Sequence, residues 1–401
     1  MTSAVAETVE RTVDDLPFLD IDDPSYIADR PGVLRAAREQ DWIIRTRLGV
    51  ELLTYDTCWS VRQGRVVTGF QELPKMAGIE AGRIVDHFRV GFAVDGPEHV
   101  RIRQAASAYF ARKSIERLRE QCRAIVDELL DAYAPGEPVD LVALTNAIPA
   151  RVFLAMINMP ASDTDFITRI SGSILKLSHR DGNLDAAEIS GAYDELMEYA
   201  EGIQEERRKN PGDDLISTLA LNEANLDSEV VLAMLAHLLF GSGDNSSAQI
   251  ALTLHGLTGE QDQWTKFRAD RSNVRDFATE TMRMFPRQVR NPGFAIEDMV
   301  WGGVAIPKGT SLIGNVAAGN RDPEAFDDPE TFNGWREQKQ PLIFGSGPHI
   351  CIGSHLARME VEETLMALAD RWERFELTAM HQDVFHFHDE FDELVVTPTP
   401  V

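Results

Sequence analysis

Residues 227–257, DSEVVLAMLAHLLFGSGDNSSAQIALTLHGL, restrict the fold more than any other stretch. Val231, Leu235 and Leu238 keep helical spacing, as do Ile250, Leu254 and Leu257. With Leu232, Leu239 and Phe240 added, the helix is apolar nearly all round, which predicts burial at the centre of a large core. A chain of 401 residues with 43% hydrophobic content is large enough to supply one. Asp227 is placed to N-cap this helix, and Glu229 in its first turn faces the positive end of the dipole. Its middle is broken by polar residues, GSGDNSS at 241–247. Two glycines inside a helix cost about 1 kcal/mol each relative to alanine. Asp244 costs more unless it is hydrogen-bonded or hydrated. A kink that merely relieves packing would not need an acid and an amide side by side, so the interruption is read as functional.

Apolar spacing predicts helices around this one at 34–40, 114–133, 163–179 and 190–208, with a Pro-Gly break at 211–212. Segments 42–46 and 50–55 alternate like strands, and so do 294–306 and 311–316, which are joined by the turn Pro307-Lys308-Gly309. The fold class expected is mainly α with a minor β part. No linker is visible, so residues 17–401 are expected to form one domain after a flexible segment, 1–16. The net charge of −26 speaks against nucleic acid as a partner. Three widely spaced cysteines make no disulfide framework and fit a reducing cytoplasm. The N-terminus has no apolar signal core, and no apolar run of about 18 residues predicts a membrane span.

One cysteine stands apart. In FGSGPHICIG, residues 344–353, Cys351 is flanked by Gly345, Gly347 and Gly353 where a loop enters a helix. A helix N-terminus lowers a thiol pKa, and glycines admit close approach and positive φ. A catalytic nucleophile, a zinc ligand, a heme ligand and a plain buried cysteine all remain open on these grounds. Zinc suits the stretch poorly, because no second Cys or His pair stands at short spacing. A heme thiolate suits it best, since glycines leave room for a flat macrocycle.

The stretch resembles the heme-ligand loop of the cytochrome P-450 family, with Phe344, Gly347, His349, Cys351 and Gly353 at every patterned position. The resemblance implies that Cys351 is the axial thiolate of heme b, with Phe344 and Gly345 against the heme and His349 on a propionate. Four further stretches agree in order. Asp95–Arg103 is similar to a family signature that places His99 and Arg103 at propionates. Glu280 and Arg283 match a Glu-x-x-Arg pair that, with Arg336, holds the irregular segment 320–332 to the core. The 241–246 interruption aligns with the place where the family's central helix bulges over the heme. The resemblance spans about residues 30–400 and implies a single-domain cytochrome P-450 fold with small β-sheets.

Three positions depart from the family. Asn245 stands where an alcohol usually steers protons during oxygen activation, so Asp244, Asn245 and Ser246 are the expected relay. Gly293 occupies the place of a propionate-binding arginine, and Arg290 is expected to replace it or, like Arg287, to meet the substrate. Pro341 replaces a frequent histidine. Phe240, Gly241 and Val289 are expected at the pocket wall, and segments 64–92, 163–200 and 385–396 are expected to shape it.

The activity implied is insertion of one oxygen atom from O2 into a small apolar substrate by a cytoplasmic, monomeric enzyme. The chain has no room for a reductase, so electrons are expected from a 2Fe-2S ferredoxin and an NAD(P)H-dependent reductase. Arg112 and Lys113 are the candidate docking cations. Peroxide-dependent or non-oxygen-inserting chemistry, and ligand sensing without catalysis, are the alternatives.

Overall fold

The computed structural model describes residues 8–61, 66–67, 71, 73–178, 184–221, 225–384 and 386–401. Residues 1–7 of the N-terminal segment, and 64–65, 68–70, 72, 179–183 and 385 of the expected pocket segments, lie outside the described residues. The chain is mainly helical with small sheets and divides into two compact units.

The first unit comprises residues 1–69, 288–331 and 341–351. One of its sheets runs, in order, Ile43–Thr46, Gly49–Leu52, Ser311–Asn315, Arg290–Ala295 and Val66–Val67. Gly49–Leu52 and Ser311–Asn315 are parallel, and the other neighbours are antiparallel. A smaller sheet joins Arg11–Thr12, Val304–Ile306 and Met299–Trp301. Within the expected N-terminal segment 1–16, Arg11 and Thr12 pair with Val304 and Ala305, and Leu16 is buried. Ile43, Val50, Leu52, Val304 and Leu312 build the core of these sheets.

The second unit comprises residues 70–287, 332–340 and 352–401. Its helices include Gly96–Phe110, Leu141–Met156, Thr164–Leu175, Ala186–Lys209, Val274–Met284 and Ser354–Arg371. Their ends follow local chemistry. The Asp185 carboxylate accepts from the N–H groups of Ala187 and Glu188, while Arg207, Arg208 and Lys209 sit at the negative end of the same helix. A hairpin of Trp372–Val384 and Asp389–Pro400 closes the chain, with Val139–Asp140 on its outer edge.

The apolar segment is two helices, not one: Ser228–Gly241 and Asp244–Thr258. Residues Ser242 and Gly243 separate them. A Cβ on Gly243 would lie 2.9 Å from the Ser171 hydroxyl, so only glycine lets the Thr164–Leu175 helix approach the break. Asp227 occupies the N-cap position but its carboxylate makes no capping bond. Among the described residues, no helix is long and apolar enough to cross a membrane.

Candidate functional site

The cysteine loop is built inside the first unit. Leu342–Phe344 and Gly347–His349 are tight helical turns, linked by Gly345 and Ser346. Gly345 and Gly347 have φ of 66° and 67°, the left-handed region that favours glycine. Hydrogen bonds pin the loop. The Leu342 N–H donates to Asn320 Oδ1 at 3.1 Å, and the Asn291 amide donates to the Leu342 carbonyl at 3.0 Å. The Ser346 hydroxyl donates to the Trp59 carbonyl at 2.6 Å, and the Cys351 N–H donates to the Phe344 carbonyl at 2.8 Å.

Cys351 is exposed, whereas Cys58 and Cys122 are buried, and burial pushes both of their thiols up. Phe344 is buried, while Gly345 and His349 are half-buried. A Cβ on Gly345 would meet nothing within 4 Å, so that face of the loop is open.

Two residues of this unit depart from expectation. Arg290, expected at a propionate or the substrate, is fully buried and already engaged. Its Nε lies 2.9 Å from Glu51 Oε1, and an Nη donates to the Tyr26 hydroxyl at 2.6 Å. Burial alone would lower its pKa, but Glu51 holds it above the ordinary arginine value. Glu51 also accepts from the Asn315 amide at 2.7 Å, completing a buried charge network. Val289, expected at the pocket wall, is buried in a cluster with Tyr26, Leu34, Ile44 and Leu53, and its carbonyl accepts from the Val316 N–H.

The remaining site residues belong to the second unit. His99 and Arg103 lie one turn apart on the Gly96–Phe110 helix, His99 buried and Arg103 half-buried. Arg101 between them turns outward to Glu98. Gly241 ends its helix, exposed, and Phe240 stacks on Phe88 with ring centroids 6.2 Å apart. Asp244 opens the next helix and is half-buried, Asn245 is exposed, and Ser246 is half-buried. The Arg287 guanidinium donates to Asp244 Oδ2 at 2.7 Å and stands 3.4 Å from Glu390 Oε2. Arg287, an alternative contact for the substrate, is therefore committed to two carboxylates.

Glu280, Arg283 and Arg336 do come together. Glu280 and Arg283 are at most 1% exposed and form two bonds of 2.8 Å. Arg336 Nε reaches Glu280 Oε1 at 3.3 Å, and the Asn333 N–H donates to the same oxygen at 2.9 Å. Burial pushes the Glu280 carboxyl up, but Arg283 and these donors hold it below its usual value. Sequence reasoning passed over two other residues, His237 and Glu360. For His237 the signal was there to find: a histidine inside an otherwise apolar run.

The model of the cytochrome P450 family matches residues 183–401. The chain is 31% identical over 365 residues to the luteothin monooxygenase of Streptomyces thioluteus, covering 89% of each protein. It is 31% identical over 297 residues to the 6-deoxyerythronolide B hydroxylase of Saccharopolyspora erythraea, covering 72% of each. Among solved structures, epothilone D-bound cytochrome P450epoK superposes with a TM-score of 0.86 at 22% identity, over 94% of this chain and 98% of that one. CalO2 does so with a TM-score of 0.88 at 20% identity, over 96% and 100%.

Proposed function

The chain belongs to the cytochrome P450 family, and from that premise we propose that it inserts oxygen into a small, largely apolar substrate using electrons from a separate ferredoxin. As a member it is a heme-thiolate monooxygenase that binds heme b. When bound, the heme supplies the oxidising centre at which one atom of O2 enters a C–H bond, and the thiolate favours O–O cleavage.

The observation that carries the assignment of residues is the exposed Cys351 thiol on a loop whose open face bears no side chain at Gly345. That donor and that bare face fit a flat, sulfur-ligated macrocycle. Cys351 would be the thiolate ligand, Phe344 and Gly345 would contact the heme, and His349, His99 and Arg103 would hold its propionates. Partly buried carboxylates need such fixed donors. Phe240 and Gly241 would face the substrate.

Proton handling falls to the segment after the helix break. The Arg287 guanidinium, shared with Glu390, positions the Asp244 carboxylate. Asn245 is exposed at the next position and both donates and accepts through its amide. It would orient a water, while Asp244 and the Ser246 hydroxyl pass the proton. Replacing Asn245 by Ala and by Thr is expected to change the yield of product per NADH consumed. Equal coupling in the wild type and both variants would remove Asn245 from the relay.

The ferredoxin reading rests on charge. Arg112 and Lys113 are exposed on the Arg112–Glu116 helix. Arg112 and Arg275 both act electrostatically on Arg358 and His355, so cations cluster locally in a chain of net charge −26. Asn245 in place of an alcohol favours a second reading, direct use of peroxide. Turnover of one substrate with ferredoxin and reductase, set against turnover with peroxide, separates the two. Product from peroxide alone would overturn the ferredoxin reading.

A further inference from the structure

From Val230 to Leu239 the Ser228–Gly241 helix is apolar at every position except His237. Both ring nitrogens of His237 are shut off from solvent and have no hydrogen-bond partner among the described residues. Its walls are aromatic. Phe88 meets the ring edge-on at 4.9 Å between centroids, and Phe240 does so at 5.5 Å. On a third side is Gly91, at φ 67°. A Cβ there would lie 3.1 Å from His237 Nδ1, so glycine lets this backbone pack closely against the ring.

Among the described residues, the nearby polar side chains His87, Tyr193 and Glu229 are bonded to one another. His87 Nδ1 lies 3.2 Å from the Tyr193 hydroxyl, and its Nε2 lies 3.1 Å from Glu229. Burial, and then the neighbouring His87, push the His237 pKa down to about 3, so the ring is neutral at any working pH. A neutral imidazole presents one donor and one acceptor. Leaving both unmet costs stability that leucine, the residue at 238 and 239, would not forfeit. His237 also lies one turn before Gly241, on the helix face that carries the proposed pocket wall.

We propose that His237 is the polar anchor of the substrate pocket, hydrogen-bonding an uncharged hydroxyl on an otherwise aromatic molecule held against Phe88 and Phe240. A hydroxyl suits the neutral ring in either tautomer, since it can donate to the bare nitrogen or accept from the N–H. This rests on the monooxygenase reading and narrows its substrate class.

The test uses the heme-loaded, full-length protein and matched probes: naphthalene with 2-naphthol, and biphenyl with 4-hydroxybiphenyl. Binding is followed by calorimetry and by the heme Soret band. In at least one pair the hydroxylated probe is expected to bind about tenfold tighter. His237→Leu should erase that preference while leaving the unhydroxylated probe within twofold, and His237→Gln should keep part of it. Without ligand, His237→Leu should raise the melting temperature by about 2–4 °C, because an unmet polar group has gone.

Equal affinities within both pairs, no binding by any probe, or a preference that survives His237→Leu would overturn the proposal. So would a lower melting temperature in that variant, which would mark the ring as structural. The Soret band of the reduced, CO-bound wild type reports thiolate ligation separately. Its failure would sink the assignment of Cys351 but not the calorimetric result.

Discussion

Glu360, on the Ser354–Arg371 helix, is 1% exposed, and its carboxylate makes no well-formed hydrogen bond among the described residues. Burial pushes its pKa up to about 7, although the Ser246 hydroxyl is near enough to oppose the shift. The native state therefore keeps this proton through a range where the unfolded chain has lost it. The stabilisation is complete below the unfolded value near 4.5 and disappears as pH rises through 7. Over that window the linked loss is about 3 kcal/mol. Glu360→Gln, which has no proton to lose, should gain about 2–3 kcal/mol on the wild type between pH 5 and pH 8 in urea unfolding. A constant difference at the two pH values would show that the carboxyl titrates normally. Residues of this kind were not legible in sequence. Arg290 is the clearest case: its partners Glu51 and Tyr26 are 239 and 264 positions away, and no local pattern announces them. Glu280 and Arg283 were legible because three residues of helix put both groups on one face, and the motif supplied Arg336.

An apolar period located helices but not their breaks: the helix expected over 114–133 is two, Arg112–Glu116 and Arg119–Leu130. The helices at 164–175 and 186–209 and the strands at 43–52 follow their apolar spacing. The closing hairpin was missed because its register shifts between Trp372 and Arg374, Leu377 and Ala379, and His381 and Gln382. Each bulge flips the alternation, so no period of two survives along the strand. The irregular stretch after Phe332 is held by side chains instead: Glu280 takes the Asn333 N–H and Arg336, and the Asn273 amide donates to the Gly334 carbonyl at 2.8 Å. Removing one partner of a buried pair strands the other charge, at a cost of about 3–5 kcal/mol. Glu280→Ala should lose that much in urea unfolding, and the Asn333 amide should exchange hydrogen faster. Unaltered exchange would mean that the stretch is anchored elsewhere.

At the scale of the molecule, charge decides which partners can approach. A net charge of −26 repels an acidic protein at long range, and the cations around Arg112 offer the local exception. Arg112→Glu with Lys113→Glu should raise the KM for the proposed ferredoxin partner severalfold and leave the substrate Kd unchanged. The effect should shrink as added salt shortens the screening length below about 8 Å. An unchanged KM would move the docking surface elsewhere. One further consequence follows from the pairing of Arg287 with both Asp244 and Glu390. If Asp244 swings away to exchange a proton, the guanidinium is not left as a naked buried cation, because a second carboxylate is already 3.4 Å away. The acid's excursion then amounts to a change of escort for one arginine, a small barrier where a lone ion pair would have set a large one.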